Sequence, residues 1–534
     1  MSILSRYITF LFVFISSVLN AQNAFQKTFG GLGKEVGYSI IQTFDHGYIM
    51  VGKSNSAGSG MYDEYIIKTD QNGDTLWTKL LGWPYDEIGN FIVQNTDSSY
   101  FISGGSNTSD TYLADMFSKI DKNGNVIWTR SLHSSDGFMI GKGIQETADG
   151  NYVVAGYGSG TLEGEGFSLS KMDPLGTVLW SNLYGISNAM SGNVITTTSM
   201  VQARDGGFVM LGQGNDFTDG YLDIYLIKTD ASGNMLWQHA YSGGINDTAN
   251  SIQATADGGY IITGSTNSFD SVNTDAYLIK ADSVGNITWA KTYGGLNEDD
   301  GLSVKQANDG GYVFVGNTAD SLGRFDVFLA KTDNTGNLLW TKSYGGINSD
   351  YGYSVAQTID NGFVITGTTN SYGAGDDDLF FIKTDSTGYS GCNENTIKFL
   401  SNTVMFNVSN SSLYNYPGDL NGSSMSLGIS ASYSTVSNLC YIEGINESAA
   451  IENYLNLYPN PVTDQVTIEF TLTDTKYNTI EIKNVLGQTV KRIDANFSTP
   501  KNQLQINTSD LSKGIYFIEL QNGDRLLSKK FIRQ

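Results

Sequence analysis

Apolar residues along this chain come in short runs or strict alternations rather than at helical spacing, the pattern of β-strands. One group shows the plan. SVAQT (Ser354–Thr358) turns through Asp360-Asn361-Gly362 into FVITGTT (Phe363–Thr369), and a longer loop leads to DLFFIKT (Asp378–Thr384). In earlier groups a fourth strand follows, such as LLWTKSY (Leu338–Tyr344), entered through Asp-x-x-Gly-Asn. There the glycine can take positive φ while the Asp side chain caps the turn's amides. KTDNTGNLLWTKSYGG (Lys331–Gly346) has near-copies at Lys68–Gly82, Lys228–Gly244 and Lys280–Gly295. A second landmark, the turn before the second strand, falls at Asp45, Asp97, Asp149, Asp205, Asp257, Asp309 and Asp360, spaced 51 to 56 residues apart. That is the period of propeller blades. Four antiparallel strands per unit, seven times over, predict an all-β, seven-bladed β-propeller across residues 24–390.

The ends of the array predict how the ring closes. The seventh unit lacks a Trp strand, and AFQKTFGG (Ala24–Gly31) is a spare one with Phe25 in the Trp position. The N-terminal strand should complete the last blade, a closure that resembles that of WD-repeat propellers. Trp77, Trp128, Trp180, Trp237, Trp289 and Trp340 should then pack where blades meet, burying about 150–250 Å² each. A ligand-stacking platform is the competing role for these rings, but their repetition at equivalent strand positions favours core.

Outside the array, residues 1–21 read as a signal peptide. Arg6 is the basic segment, Ile8–Leu19 the apolar one, and Ala21 the small residue before a cut. So short an apolar run does not span a bilayer, and no longer one follows. Residues 391–453 are rich in Ser and Asn and lack the landmarks, so they read as a linker. Residues 454–534 alternate again as a small β-sandwich. Their motifs, Tyr458-Pro459-Asn460-Pro461, Leu486-Gly487, Gly514-Ile515-Tyr516 and Lys529-Lys530-Phe531-Ile532, stand in the order found in type A C-terminal sorting domains of the type IX secretion system, which this segment closely resembles. The resemblance implies a bacterium of the Bacteroidetes type, passage through the outer membrane by the type IX machinery, removal of the tail, and attachment to surface lipopolysaccharide. The array is similar to bacterial β-propeller repeats of secreted proteins, a likeness that assigns no activity.

Charge narrows the partners. The chain of 534 residues carries −23; residues 451–534 hold ten Lys/Arg against nine Asp/Glu, which leaves −24 on residues 1–450. Such a body repels nucleic acid and anionic lipid heads and tolerates cations. Three histidines, His46, His133 and His239, do not make a His-rich metal site. In an exported chain Cys392 and Cys440 are candidates for a single disulfide.

Candidate chemistry lies in the long connections, which a propeller gathers on one face. Acids recur there in two sets: Glu35, Asp86, Asp136, Asp247, Asp299 and Asp350 between units, and Asp63, Asp223, Asp275, Asp326 and Asp378 before the third strand, each of the latter five residues ahead of a Lys. Oxygen ligands of this kind suit Ca²⁺; the alternative is that each Asp ties down its own loop through backbone amides. The chain has no Gly-x-Ser-x-Gly elbow, no His-Glu-x-x-His and no phosphate loop. The Asp-x-x-Gly…Trp rhythm is similar to that of quinoprotein propellers, but the Trp comes one residue sooner and no adjacent cysteine pair is present. The reading is a secreted or surface-bound, non-catalytic binding or adhesion module for glycan or protein. Its rivals are a secreted hydrolase or lyase using the mouth acids, and a structural surface-layer or gliding-associated protein. One blade-specific cluster of Asp, Glu, Tyr or His would favour the enzyme, and evenly repeated acids would favour binding or scaffolding.

Overall fold

A strand bulge recurs in every repeat and shapes each blade. In the sixth, Asp299–Gln306 pairs antiparallel with Tyr312–Ala319, and the register slips between Gly301 and Ser303. The same slip recurs in the first strand of all seven units, a device that increases twist. It drives a carbonyl towards the second strand, where only glycine fits: a Cβ on Gly316 would lie 1.6 Å from the Asp300 carbonyl oxygen.

The computed structural model describes residues 24–533 apart from 59–60, 110–111, 135–138, 161–163, 186–194, 216–219, 270–272, 410–412, 418–419, 425–427, 431–434, 443–454, 459–460, 472–477, 485–488, 496–500 and 523–524. The expected signal peptide and Asp136 lie outside the described residues. The chain divides into two units, residues 1–442 and 443–534.

In the first unit each repeat forms an antiparallel meander whose first strand lies against the first strands of its neighbours, around a central channel. The tryptophans fasten blade to blade. A Cβ on Gly336, in the Asp-x-x-Gly-Asn turn of the sixth blade, would lie 2.7 Å from the Trp289 ring of the fifth, and Tyr293, four residues after that Trp, donates its hydroxyl to the Gly336 carbonyl at 2.6 Å. Gly336 has φ 77°, so glycine serves both the turn and the contact. Trp77, Trp128, Trp180, Trp237 and Trp340 meet Gly124, Gly176, Gly233, Gly285 and Gly388 in the same way, and Phe25 meets Gly73. This closes the ring. Strand Ala24–Gly30 pairs with Asp378–Thr384 in the last blade, and Phe25 is wholly buried against Tyr48 and Phe381.

The expectation of a linker over 391–453 is corrected. From 394 to 442 the chain runs backwards round the rim and gives every blade a fifth, outermost strand, so the blades are five-stranded. Glu394–Thr396 pairs with the sixth blade, Leu400–Thr403 with the fifth, Asn407–Ser409 with the fourth and Tyr414–Pro417 with the third. Leu420–Ser424, Gly428–Ser430 and Thr435–Ile442 follow on the second, the first and the seventh. These strands are held by backbone pairing along one edge, and the first three are largely exposed, which is why their composition is polar. Between them Phe399, Phe406 and Leu413 drop into the apolar cores between blades. Cys392 is disulfide-bonded, and Cys440, in the final belt strand, is the chain's other cysteine. With two cysteines in the chain, a bridge from Cys392 to Cys440 would close the belt as a hoop.

The second unit is a sandwich. A three-stranded sheet (Leu455–Tyr458, Gln465–Thr471, Lys501–Asn507) and a four-stranded one (Asn478–Asn484, Thr489–Ala495, Gly514–Asn522, Arg525–Arg533) share a core that includes Val466, Ile468, Ile480, Ile518 and Phe531.

Candidate functional site

The two families of long connections lie side by side at one end of the propeller. The N–H groups of Glu35, Glu87, Asp247 and Asp299 donate to the carbonyls of Asp377, Tyr62, Leu222 and Thr274 at 2.7–2.8 Å. This end is the mouth that the acids were expected to line.

The structure places the acids at strand starts rather than in loops. Glu35, Asp247, Asp299 and Asp350 open first strands; Asp63, Asp223, Asp275 and Asp378 open third strands, and Asp326 is the second residue of its strand. In the second blade Glu87, not Asp86, holds the ring position; Asp86 accepts the Tyr62 N–H at 3.0 Å in the loop. The third and fourth blades open with Met139 and Ile195, so the ring is interrupted. The two sets meet across the seams, one from each blade. A Cβ on Gly345 would lie 2.2 Å from Asp326 Oδ1 and 2.7 Å from Asp350 Oδ2; on Gly82, 1.7 Å from Asp63 Oδ1 and 2.9 Å from Glu87 Oε2. Gly30 stands likewise between Asp378 and Glu35, and Gly294 between Asp275 and Asp299. The Tyr-Gly-Gly ending of the fourth strand, as in Tyr344-Gly345-Gly346, is therefore what lets two carboxyl groups approach. Each first-strand acid also accepts the N–H four residues before it: Gly31 to Glu35 at 2.8 Å, Gly295 to Asp299 at 2.6 Å, Gly346 to Asp350 at 2.8 Å.

Burial and the like-charged partner raise these acids. Burial first and Asp275 after it push Asp299 up to about 6; burial and then Asp350 push Asp326 to about 6. Burial, with Asp63 adding to it, lifts Glu87 to about 7 against hydrogen bonds from Trp83 and Ser106. Asp350 Oδ1 and Asp378 Oδ1, both buried, accept no hydrogen bond in the structure. Among the described residues no group of three or more His, Cys, Asp or Glu is placed to hold a metal ion.

The lysines five residues after the third-strand acids serve another partner. Each reaches the landmark Asp at the opposite end of its blade, and Lys119 and Lys171, which follow no such acid, do the same, making seven ion pairs from Lys68–Asp45 (3.0 Å) to Lys383–Asp360 (2.9 Å). Burial opposes the charge of Asp257, but hydrogen bonds from Thr255 and Lys280 outweigh it and hold Asp257 at about 2.

These opposite shifts predict a peaked stability profile. The seam acids are raised on folding, so their contribution is complete below the ordinary carboxyl range and lost as pH climbs through 6 to 7. The turn Asp is depressed, so its contribution is present above that range and lost as pH falls towards 2. The melting temperature should be highest at about pH 4–5 and decline towards pH 8, and Asp299→Asn with Asp326→Asn should flatten the decline. Calorimetry across pH 3–8 checks this; a melting temperature that holds level or rises from about pH 5 to 7.5 refutes it.

One part of the mouth departs from the repeat. Tyr38, Tyr351 and Tyr353 stand on the first strands of blades one and seven, with ring centroids 5.4 Å apart for Tyr38–Tyr353 and 6.5 Å for Tyr351–Tyr353. Phe325 of the sixth blade lies 5.5 Å from Tyr351. Lys53 Nζ sits 4.4 Å from the Tyr62 ring centroid and 5.9 Å from that of Tyr38. All six side chains are half-buried. Sequence reading missed the group because its members are scattered; the signal was five aromatics at innermost-strand and mouth-loop positions where other repeats carry none.

In the second unit the Tyr458 hydroxyl, which is exposed, donates to Glu469 at 2.8 Å and accepts from Gln503 at 2.6 Å. Tyr516 is buried and donates to the Ser512 carbonyl at 2.9 Å; Gly514 opens the same strand. Lys529 and Lys530 lie on the last strand, opposite Ile518 and Phe517, Pro461 is exposed, and Pro459 and Asn460 lie outside the described residues.

The fold and its face define the first unit as a β-propeller of the all-β, repeat-built class. Residues 456–534 match the family described as the secretion system C-terminal sorting domain. The protein is thus a secreted propeller of the Bacteroidetes type, exported by the type IX system to the cell surface or beyond. A regulatory protein, FlaEY, of Caulobacter vibrioides is 25% identical over 221 residues, 34% of this chain and 23% of that protein; the chain spans less than a quarter of that relative's length. Among solved structures, a protein of unknown function from Dyadobacter fermentans covers 67% of this chain and 98% of its own at 10% identity and TM-score 0.38. A thermostable family-43 glycoside hydrolase covers 47% and 90% at 13% identity and TM-score 0.29. Neither bears on substrate or activity. Among the described residues no helix is long and apolar enough to cross a membrane.

Proposed function

We propose that this protein is a non-catalytic binding or adhesion module, that its mouth is the contact surface, and that its ligand is a glycan or a protein. One observation carries the reading: the repeated polar residues are engaged in architecture, whereas apolar residues on the mouth loops are left in water. Leu32, Leu296 and Ile347, on equivalent connections, are 88%, 91% and 76% exposed. Met61, Tyr85 and Leu322 on the same face are exposed as well. The opposite end exposes apolar residues as well, among them Phe44 and Ile359, but at the mouth they stand beside the interrupted acid ring and the one-sided tyrosine group, on a surface that a partner can cover. The sorting tail supports delivery to the outer surface, where its removal and attachment to lipopolysaccharide would leave the mouth available.

The hydrolase reading has one feature in its favour, the one-sided tyrosine group. A hydrolase of the two-carboxylate kind also needs two opposed carboxyl groups that a substrate can reach, and the acid pairs described above are packed in seams behind glycine. The test is a glycan and protein array probed with the chain lacking its signal peptide, with and without calcium at about 10⁻⁴–10⁻³ M. Products released from any glycan bound are assayed alongside. Retention of a ligand without product is the expected outcome; product release from it, or no ligand on either array, overturns the proposal.

A further inference from the structure

An architectural requirement in a ring of repeats appears in every blade, so a group that appears once answers to something else. At the second position of the innermost strand the blades carry Val36, Ile88, Ile140, Thr196, Thr248, Asp300 and Tyr351, and at the fourth Tyr38, Asn90, Lys142, Thr198, Asn250, Leu302 and Tyr353. Aromatic rings occupy these positions only beside the seam where blade seven meets blade one. Phe325 extends the group into blade six, and Tyr62 and Lys53 extend it up the wall of blade one. None of these rings is sealed in the core; each keeps part of its surface open.

We infer that this seam binds an uncharged sugar ring of an extracellular glycan. The inference rests on the mouth-binding reading above and supplies its ligand class. Half-exposed aromatic faces offer the flat apolar surface on which the C–H face of a pyranose or furanose stacks, and phenol hydroxyls offer edge-on hydrogen bonds. Burial, with Tyr62 adding to it, pushes the Tyr38 phenol up to about 12, so it remains a donor across physiological pH. Lys53 adds three donors. It makes no ion pair and no hydrogen bond among the described residues, so its N–H groups can donate to ligand oxygens. Sugar hydroxyls would supply those oxygens.

Charge selects among ligands. Lys34 is already bound to Asp377 at 3.0 Å, and Asp86 acts on Lys53 electrostatically. The surrounding body carries −24, so a polyuronate or nucleic acid is repelled on approach. A cationic ligand would have to displace Lys53, whose ammonium already lies against two ring faces. A neutral, hydroxyl-rich ring meets neither obstacle.

The test uses the chain without its signal peptide and, as probes, neutral xylo-, arabino-, manno- and cello-oligosaccharides with hexagalacturonate beside them, titrated by calorimetry and tyrosine fluorescence. At least one neutral oligosaccharide should bind. Tyr351→Ala and Lys53→Gln should each weaken it about tenfold or more, while Asn250→Ala, across the mouth, leaves the affinity unchanged. Melting curves of each variant separate lost contacts from lost fold, and Tyr351→Leu, which keeps apolar bulk but no ring, is the second variant should alanine unfold the seam. Binding that survives both Tyr351→Leu and Lys53→Gln overturns the assignment. So does preference for hexagalacturonate. A protein ligand held at the mouth while no oligosaccharide binds refutes the sugar site and leaves the mouth reading intact; no ligand of either kind defeats both.

Discussion

Deleting Ala24–Gly30 should prevent the propeller from closing, and the single change Phe25→Ala should cost about 3–5 kcal/mol. The strand is paired on both edges, with Asp378–Thr384 inside it and Thr435–Ile442 outside. Its loss strips two strands of partners at once and exposes two edges. Phe25 also does for the last seam what each Trp does for the others: it is fully buried, packed edge-on against Phe381 at 5.0 Å, and set against Gly73 of the first blade. A ring has no spare interface, so a weak seam is felt by both blades it joins. Calorimetry of the point variant and of the truncation provides the check. A truncated protein melting within about a degree of the intact one would show that another element closes the ring.

The second large effect concerns the hoop. Reduction of the disulfide, or Cys392→Ser, should lower stability by about 2–4 kcal/mol, chiefly by restoring freedom to the unfolded chain over the whole length of the belt. The folded state holds that segment by short edge pairings and a few buried side chains such as Phe399, Phe406 and Leu413. Once opened, it should peel before the blades do. Hydrogen exchange with and without reductant should show protection lost first in 394–442 while the inner strands keep theirs. Equal protection of the belt in both states would mean that backbone pairing alone secures it.

What was legible in the sequence follows from which interactions repeat. Blade count, strand order and ring closure could be read because Trp, Tyr-Gly-Gly and Asp-x-x-Gly-Asn recur at one period. The Trp-to-Gly contact between blades was not read, since its halves lie in different repeats and only the ring brings them together. The belt was missed for a different reason. Its strands pair along one edge and face water, so they carry no alternation; the only trace was Phe399, Phe406 and Leu413 at intervals of seven. The acids were found as types and spacing, but their position at strand starts, and hence their burial, depended on strands beginning four residues earlier than the apolar pattern indicates, at Asp350 rather than Ser354. The tyrosine group escaped because it does not repeat.

The disulfide also sets the path of mechanical load. The belt ends at Ile442, two residues beyond Cys440, and Ile442 pairs with Ala24. Tension entering from the C-terminal side therefore meets a covalent cross-link almost at once. It passes through Cys392 towards the junction of blades six and seven instead of unzipping the short rim strands one after another. In an adhesion module held from that side, the blades would bear a pull as a ring.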